Sequence, residues 1–88
     1  MTEEQIIQWV RRYLANLINI PEAKIENTLP LNRYGLDSMS TVGILADLSE
    51  KIGIDLDEDL ILAYPTIETL AGKVNQLINT GEEVTPPK

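Results

Sequence analysis

The sequence predicts an all-α protein, a small four-helix bundle with a short third helix and a long first loop. Three segments repeat apolar residues at the spacing of an α-helix, and the period-2 alternation of β-strands is nowhere sustained. A chain of 88 residues that is 43% hydrophobic can build one modest core. We therefore expect one domain over residues 1–80, and a disordered tail with two prolines over residues 81–88.

The first helix is predicted to begin after Thr2, because Thr2 and Gln5 have the spacing of a capping box. Pro21 ends it. We expect Arg11 and Ala15 on its polar face. The opposite, apolar face consists of Ile6, Ile7, Val10, Tyr13, Leu14, Leu17 and Ile18.

A long connection over residues 20–37 follows, with apolar residues at irregular spacing. A loop of this length in a small domain normally has a functional reason. We expect it to pack across the helices and to place the turn formed by Asp37 and Ser38. Its apolar residues are Ile25, Leu29, Leu31, Tyr34 and Leu36.

The second helix is predicted from Ser38 to about Ile52. The Asp37 carboxylate can cap its first turn, and Gly53 can end it in the left-handed conformation. This helix has two apolar faces, of which only one can enter the core. The first face is Ile44, Leu45, Leu48 and Ile52; the second, expected to be an exposed docking face beside Ser38, is Met39, Val42 and Ala46.

Two further helices complete the bundle. The acidic residues Asp57, Glu58 and Asp59 can start a short helix that ends before Pro65, and Thr66 can cap the last helix. Gly81 is expected to end that helix. Its apolar face is Ile67, Leu70, Ala71, Val74, Leu77 and Ile78.

The composition excludes several kinds of chemistry. The chain has no cysteine and no histidine, which excludes disulfides, thiol catalysis and histidine-dependent triads, and leaves no thiolate or imidazole for a transition metal. We predict no catalytic residue and no metal site. No apolar run approaches the ~18 residues of a membrane span. The absence of cysteine fits the reducing cytoplasm, so we expect a cytoplasmic protein.

The acidic charge is confined to one half of the chain. Eight acidic residues and one lysine lie between Asp37 and Glu68, and this segment accounts for the whole net charge of −7. Such a field repels nucleic acid and anionic membranes and favours basic protein surfaces. The alternative is that the acidity only keeps the protein soluble.

The acidic run does not fit a calcium loop. Asp55, Asp57 and Asp59 alternate, but an EF-hand loop needs a glycine where Leu60 stands and a glutamate where Thr66 stands.

Ser38 is a poor autonomous nucleophile. Leu36 and Ser40 occupy the glycine positions of a nucleophile elbow, and the chain has no histidine to activate the hydroxyl. Ser38 can still be the substrate of another enzyme.

The segment Tyr34-Gly35-Leu36-Asp37-Ser38-Met39 resembles the signature of acyl and peptidyl carrier proteins, in which the serine carries 4′-phosphopantetheine. The segment Tyr64-Pro65-Thr66-Ile67-x-x-Leu70-Ala71, the four-helix pattern and the acidic second half also resemble that family. The resemblance covers about residues 2–80.

The resemblance implies a cofactor and partners. A phosphopantetheinyl transferase, using Mg²⁺ and coenzyme A, would attach the arm covalently to Ser38, in a site that includes Asp37 and Gly35. The arm would hold acyl or aminoacyl groups as thioesters. An acyl- or aminoacyl-loading enzyme would load it, and tailoring or chain-extending enzymes such as an oxidase or a ketosynthase would receive the cargo. The carrier itself would be a non-catalytic monomer.

The same resemblance assigns a partner surface around Ser38. The apolar part would be Leu36, Met39, Val42 and Ala46, and the steering charges would include Asp47, Glu50, Asp57 and Glu58.

Gly43 and Ser49 stand in a helix that carries a denser row of glutamates in fatty-acid carriers. Together with the two signature segments, they make the sequence look more like a carrier of a polyketide or nonribosomal peptide pathway. We expect a free-standing carrier, because no flanking domain accompanies it in the sequence. The alternatives are a domain excised from a larger synthase, a housekeeping fatty-acid carrier, an unmodified acidic helical adaptor, and an enzyme that acts through Ser38.

Overall fold

Four α-helices form the computed structural model, which describes residues 1–80 and contains no strand in that range. They are α1 (Glu3–Ile18), α2 (Ser38–Ile52), α3 (Asp59–Ala63) and α4 (Ile67–Thr80). Two short 3₁₀ turns, Glu22–Lys24 and Leu31–Tyr34, lie in the connection between α1 and α2. The all-α prediction is confirmed. Gly81 and the predicted disordered tail, residues 81–88, lie outside the described residues.

Local capping fixes the start of α1. The Gln5 N–H donates to Thr2 Oγ1 (3.2 Å), and the Thr2 N–H donates to Gln5 Oε1 (2.9 Å). These two bonds form the predicted capping box, which satisfies N–H groups that the helix itself leaves free.

The last helix begins with a similar reciprocal cap. The Thr69 N–H donates to Thr66 Oγ1 (3.1 Å), and the Thr66 N–H donates to Thr69 Oγ1 (3.2 Å). Thr66 therefore caps α4, as predicted.

The core lies between α1 and α4 and takes in one face of α2. On α2 the predicted inner face is confirmed, whereas Met39 and Val42 lie on its exposed side. The helix runs through Gly43 without a break. The most deeply buried side chains are Ile6, Val10, Leu14, Leu31, Ile44, Leu45, Leu48, Ile67, Leu70 and Val74.

Two residues of α1 depart from the prediction. Ala15, expected on the polar face, is buried, and Leu17, expected in the core, is 43% exposed. Ala15 is buried because the first loop folds back over its side of α1, where the Arg11 guanidinium donates to the Glu22 carbonyl (2.7 Å) and to the Ile25 carbonyl (2.6 Å). The loop thereby buries a side of α1 that the helical periodicity predicted to face solvent.

No described helix combines the length and the hydrophobicity that crossing a membrane requires.

Candidate functional site

Ser38 is the first residue of α2, and its side chain is exposed. The Asp37 carboxylate accepts a hydrogen bond from the Ser40 N–H (2.8 Å), and the Asp37 carbonyl accepts from the Thr41 N–H (3.1 Å). Asp37 thus caps the helix, as predicted. The Ser38 hydroxyl makes no hydrogen bond to any described residue.

The backbone before Ser38 makes a sharp turn. Gly35 has φ +76°, a left-handed conformation that favours glycine, and Asp37 is extended. Nothing lies within 4 Å of the place where a Cβ on Gly35 would be, so the glycine is needed for its backbone conformation alone.

The Asp37 carboxylate stays ionised at the helix start. The hydrogen bond from the Ser40 N–H holds the pKa of this carboxyl below its ordinary value of 3.8. The exposed Ser38 hydroxyl therefore lies beside a fixed negative charge and the positive end of a 15-residue helix.

An open groove of about 470 Å³ lies beside Ser38, between α2, α3 and the end of the loop. Thr41 and Glu58 contribute polar atoms to its walls. Its apolar walls come from Leu36, Val42, Ile61, Leu62 and Pro65.

The groove gathers part of the predicted partner surface. Leu36, Val42 and Glu58 line it. Met39 is 83% exposed on the same helix, directly after Ser38. Ala46 is exposed further along α2. Their role in partner binding stays a prediction.

The remaining predicted acidic residues lie elsewhere. Glu50 is exposed near the end of α2 and does not line the groove. Asp57 lies two residues before α3, and its carboxylate accepts from the Asp59 N–H (2.9 Å). Asp47 is bonded to a side chain of α1. These three residues could still steer a partner at longer range.

The bond to Asp47 comes from Tyr13. The Tyr13 hydroxyl donates to the Asp47 carboxylate and lies 3.4 Å from the Gly43 carbonyl oxygen. This hydrogen bond, followed by burial and the carboxylate charge, raises the pKa of Tyr13. Trp9 stacks on the Tyr13 ring, with centroids 5.0 Å apart. The contact joins α1 to α2 at the edge of the core, against which Trp9 and Tyr13 pack.

Leu62 is a residue that sequence reasoning missed. It is 81% exposed and lines the groove with its neighbour Ile61. A helix of five residues is too short for its periodicity to show which face is buried. The only available signal was that Leu62 is a large apolar residue beside an acidic run.

Hydrogen bonds in the loop hold the Ser38 turn in place. The Leu31 N–H donates to the Pro65 carbonyl (2.8 Å), which joins the loop to the junction of α3 and α4. The Tyr34 hydroxyl accepts from the Glu26 N–H (2.8 Å) and donates to the Glu26 carbonyl (3.0 Å). The loop therefore packs across the helices, as predicted.

Sequence comparison relates this chain to known proteins. The model of the family described as "Phosphopantetheine attachment site" matches residues 8–74. The acyl carrier protein TtuC of Teredinibacter turnerae is 41% identical over 71 residues, which cover 81% of this chain and 82% of TtuC. The erythronolide synthase EryA3 of Saccharopolyspora erythraea is 25% identical over 83 residues, 92% of this chain but 3% of that synthase.

Two solved structures share the fold. A free-standing peptidyl carrier protein of Acinetobacter baumannii superposes with a TM-score of 0.78 at 23% identity, covering 92% of this chain and 98% of that one. The HMG-ACPI domain of the CurA module of Lyngbya majuscula gives 0.80 at 22% identity, covering 91% and 81%.

Proposed function

Because the chain belongs to the family of phosphopantetheine-binding carrier proteins, we propose that Ser38 is the residue that carries the 4′-phosphopantetheine arm. The exposed, unbonded Ser38 hydroxyl at the start of α2 is the observation that supports this most strongly. Asp37 takes the capping role, and Gly35 allows the sharp turn that presents the hydroxyl.

The residues around Ser38 fit such a group. The start of a long helix favours a phosphate through its free N–H groups and its dipole. The groove lined by Leu36, Val42 and Leu62 opens beside the hydroxyl, so an extended arm meets no steric barrier there. When bound, the arm supplies the thiol that this cysteine-free chain lacks, and it holds acyl or aminoacyl groups as thioesters.

The protein's own contribution is presentation and delivery. A carrier family is consistent with a non-catalytic protein. Ser38 has no hydrogen-bonded base among the described residues, and the chain contains no histidine. Ser38 therefore serves as the hydroxyl that a phosphopantetheinyl transferase modifies. Tethering then gives the cargo a high effective concentration at each partner enzyme.

The pathway is one of secondary metabolism. The chain is a phosphopantetheine-type carrier whose relatives include an acyl carrier protein and carrier segments of polyketide synthases. These relatives favour a polyketide or nonribosomal peptide pathway over a housekeeping fatty-acid role or an unmodified adaptor. A loading enzyme and tailoring or chain-extending enzymes would be the partners. The cytoplasmic location stays a prediction.

Intact-mass spectrometry tests the Ser38 proposal. The apo protein, incubated with coenzyme A, Mg²⁺ and a broad-specificity transferase, should gain about 340 Da. Ser38→Ala should gain nothing. Ser40→Ala, two residues along the same helix, is the matched control and should gain the same mass as the wild type. Wild-type protein that stays unmodified beside a modified control carrier would contradict the proposal, as would a mass gain in Ser38→Ala.

A further inference from the structure

Arg11 holds the first part of the long loop with three hydrogen bonds. Its Nη1 donates to the Ile25 carbonyl (2.6 Å) and to Asn27 Oδ1 (2.7 Å), and its Nη2 donates to the Glu22 carbonyl (2.7 Å). The side chain is half-buried. A planar guanidinium presents its donors in a fixed geometry, so it fixes the positions of all three acceptors together.

The segment that Arg11 holds is connected to the Ser38 turn. Glu26 lies between two of the Arg11 partners, and its backbone N–H and carbonyl both bond the Tyr34 hydroxyl. Tyr34 directly precedes the turn that runs from Gly35 to Ser38. Arg11 therefore bonds the residues on both sides of Glu26, and Glu26 in turn bonds Tyr34.

The same segment is also attached to α4. The Asn27 carbonyl accepts from the Glu68 N–H (3.0 Å). This N–H lies in the first turn of the helix, where backbone N–H groups have no acceptor within the helix itself. Arg11 thus fixes a segment that contacts both the helix bundle and the residue before the modification turn.

We infer that Arg11 is a positioning residue for the modification of Ser38, acting through the loop and Tyr34. This inference rests on the proposed function. Without Arg11 the loop samples several arrangements, and only a fraction of the molecules presents the Ser38 hydroxyl as the transferase needs it. The apparent affinity of the transferase is then the intrinsic affinity multiplied by that fraction, while the rate in the bound complex is unchanged.

Transferase kinetics on variants of the full chain test the inference. For Arg11→Met we expect the KM for the carrier to rise about fivefold, with kcat within about twofold of the wild type. Arg11→Lys keeps the positive charge but not the planar guanidinium. Its KM should lie between those of the wild type and Arg11→Met. Ile78→Ala is the matched control, because Ile78 is half-buried near the end of α4, ten positions after Glu68, which bonds the loop, and its truncation lowers stability. Its KM should be unchanged.

A milder variant tests the second link. Tyr34→Phe removes the bonds to Glu26 while leaving Arg11 in place, and it should raise the KM to a similar extent. The double variant Arg11→Met/Tyr34→Phe should be no worse than either single one, because both act through the same series of contacts. Fully additive effects, or an Arg11→Met KM no higher than that of Ile78→Ala, would overturn the inference.

Hydrogen exchange gives a readout that does not depend on modification. The Glu26 amide, which donates to Tyr34, should exchange faster in Arg11→Met, whereas the buried α2 amide of Leu48 should not. Unchanged exchange at Glu26 would overturn the role of Arg11 and leave the proposed function intact. Wild-type protein that the transferase does not modify would overturn the proposed function, and with it the role of Arg11 in modification.

Discussion

The Tyr13 hydroxyl on α1 donates a hydrogen bond to the Asp47 carboxylate on α2, across 34 positions of sequence. The bond gives Asp47 a structural role in addition to its predicted role in steering partners. It also raises the pKa of Tyr13, because the carboxylate stabilises the protonated phenol.

Removing this hydroxyl should weaken the contact between α1 and α2. For Tyr13→Phe we expect the free energy of unfolding to fall by about 1 kcal/mol, the usual net value of one hydrogen bond. Urea unfolding followed by circular dichroism measures it. In Asp47→Asn the side-chain amide oxygen can still accept the bond, so the free energy of unfolding should fall less than in Tyr13→Phe. An unchanged midpoint in Tyr13→Phe would show that solvent replaces the bond without cost.

The pKa of Tyr13 also predicts an alkaline effect. In the unfolded chain Tyr13 ionises near its ordinary value of 10.0, whereas the folded protein keeps the proton to higher pH. Its contribution is therefore complete below that value and is lost as pH rises through the folded-state pKa. As the pH rises above about 10, wild-type stability should fall more steeply than that of Tyr13→Phe, in which this titration is absent. An equal pH dependence of stability in the two proteins would contradict the raised pKa of Tyr13.

Asp37 predicts the opposite dependence at acid pH. Its pKa in the folded protein lies below 3.8, so its contribution is present above that value and is lost as pH falls through the folded-state pKa. Asp37→Asn keeps a capping group without this titration. The stability difference between the two proteins should therefore narrow on acidification, and carbon NMR of the Asp37 carboxyl should give its midpoint directly. A midpoint above 3.8 would contradict the cap.

Two glycines should respond to alanine in opposite directions. At Gly43 in α2 an added Cβ would lie 3.8 Å from the Tyr13 hydroxyl, an ordinary contact, so Gly43→Ala should stabilise the fold by about 0.5–1 kcal/mol through helix propensity. At Gly35 the φ of +76° makes alanine unfavourable by about 1–2 kcal/mol. Thermal unfolding measures both. Stabilisation by Gly35→Ala would contradict the left-handed turn.

The exposed leucines allow a matched test of the partner surface. Leu62 lines the groove beside Ser38, whereas Leu17 is exposed on α1, outside the groove. Leu62→Glu should lower the kcat/KM of a partner enzyme for the loaded carrier about tenfold, because one well-placed apolar contact commonly contributes that much. Met39→Glu should act in the same direction, and Leu17→Glu should not. Equal effects of Leu62→Glu and Leu17→Glu would contradict the assigned surface.

Local chemistry explains which parts of the fold could be predicted from the sequence. The ends of α2 depend on Asp37 and Gly53, whose capping roles involve neighbours within four residues. The start of α1 depends in the same way on Thr2. Because Asp37 caps α2, the position of Ser38 as the first residue of that helix could be predicted from the sequence.

Contacts between distant residues could not be predicted in this way. Arg11 looked like a solvated residue because its acceptors lie 11 to 16 positions away and are mostly carbonyl oxygens, which every residue has. Tyr13 was assigned to the core face without its partner Asp47. The exposure of Leu62 depends on the packing of α3, which determines which side of that short helix faces solvent.

Trp9 makes the contact between α1 and α2 visible to fluorescence. It is the only tryptophan of the chain, and it stacks at 28° on Tyr13, the residue that bonds Asp47. Its emission therefore reports, without any label, on a contact that leads directly into the helix bearing Ser38. A partner that shifts α2 relative to α1 on docking should change the emission of this one indole.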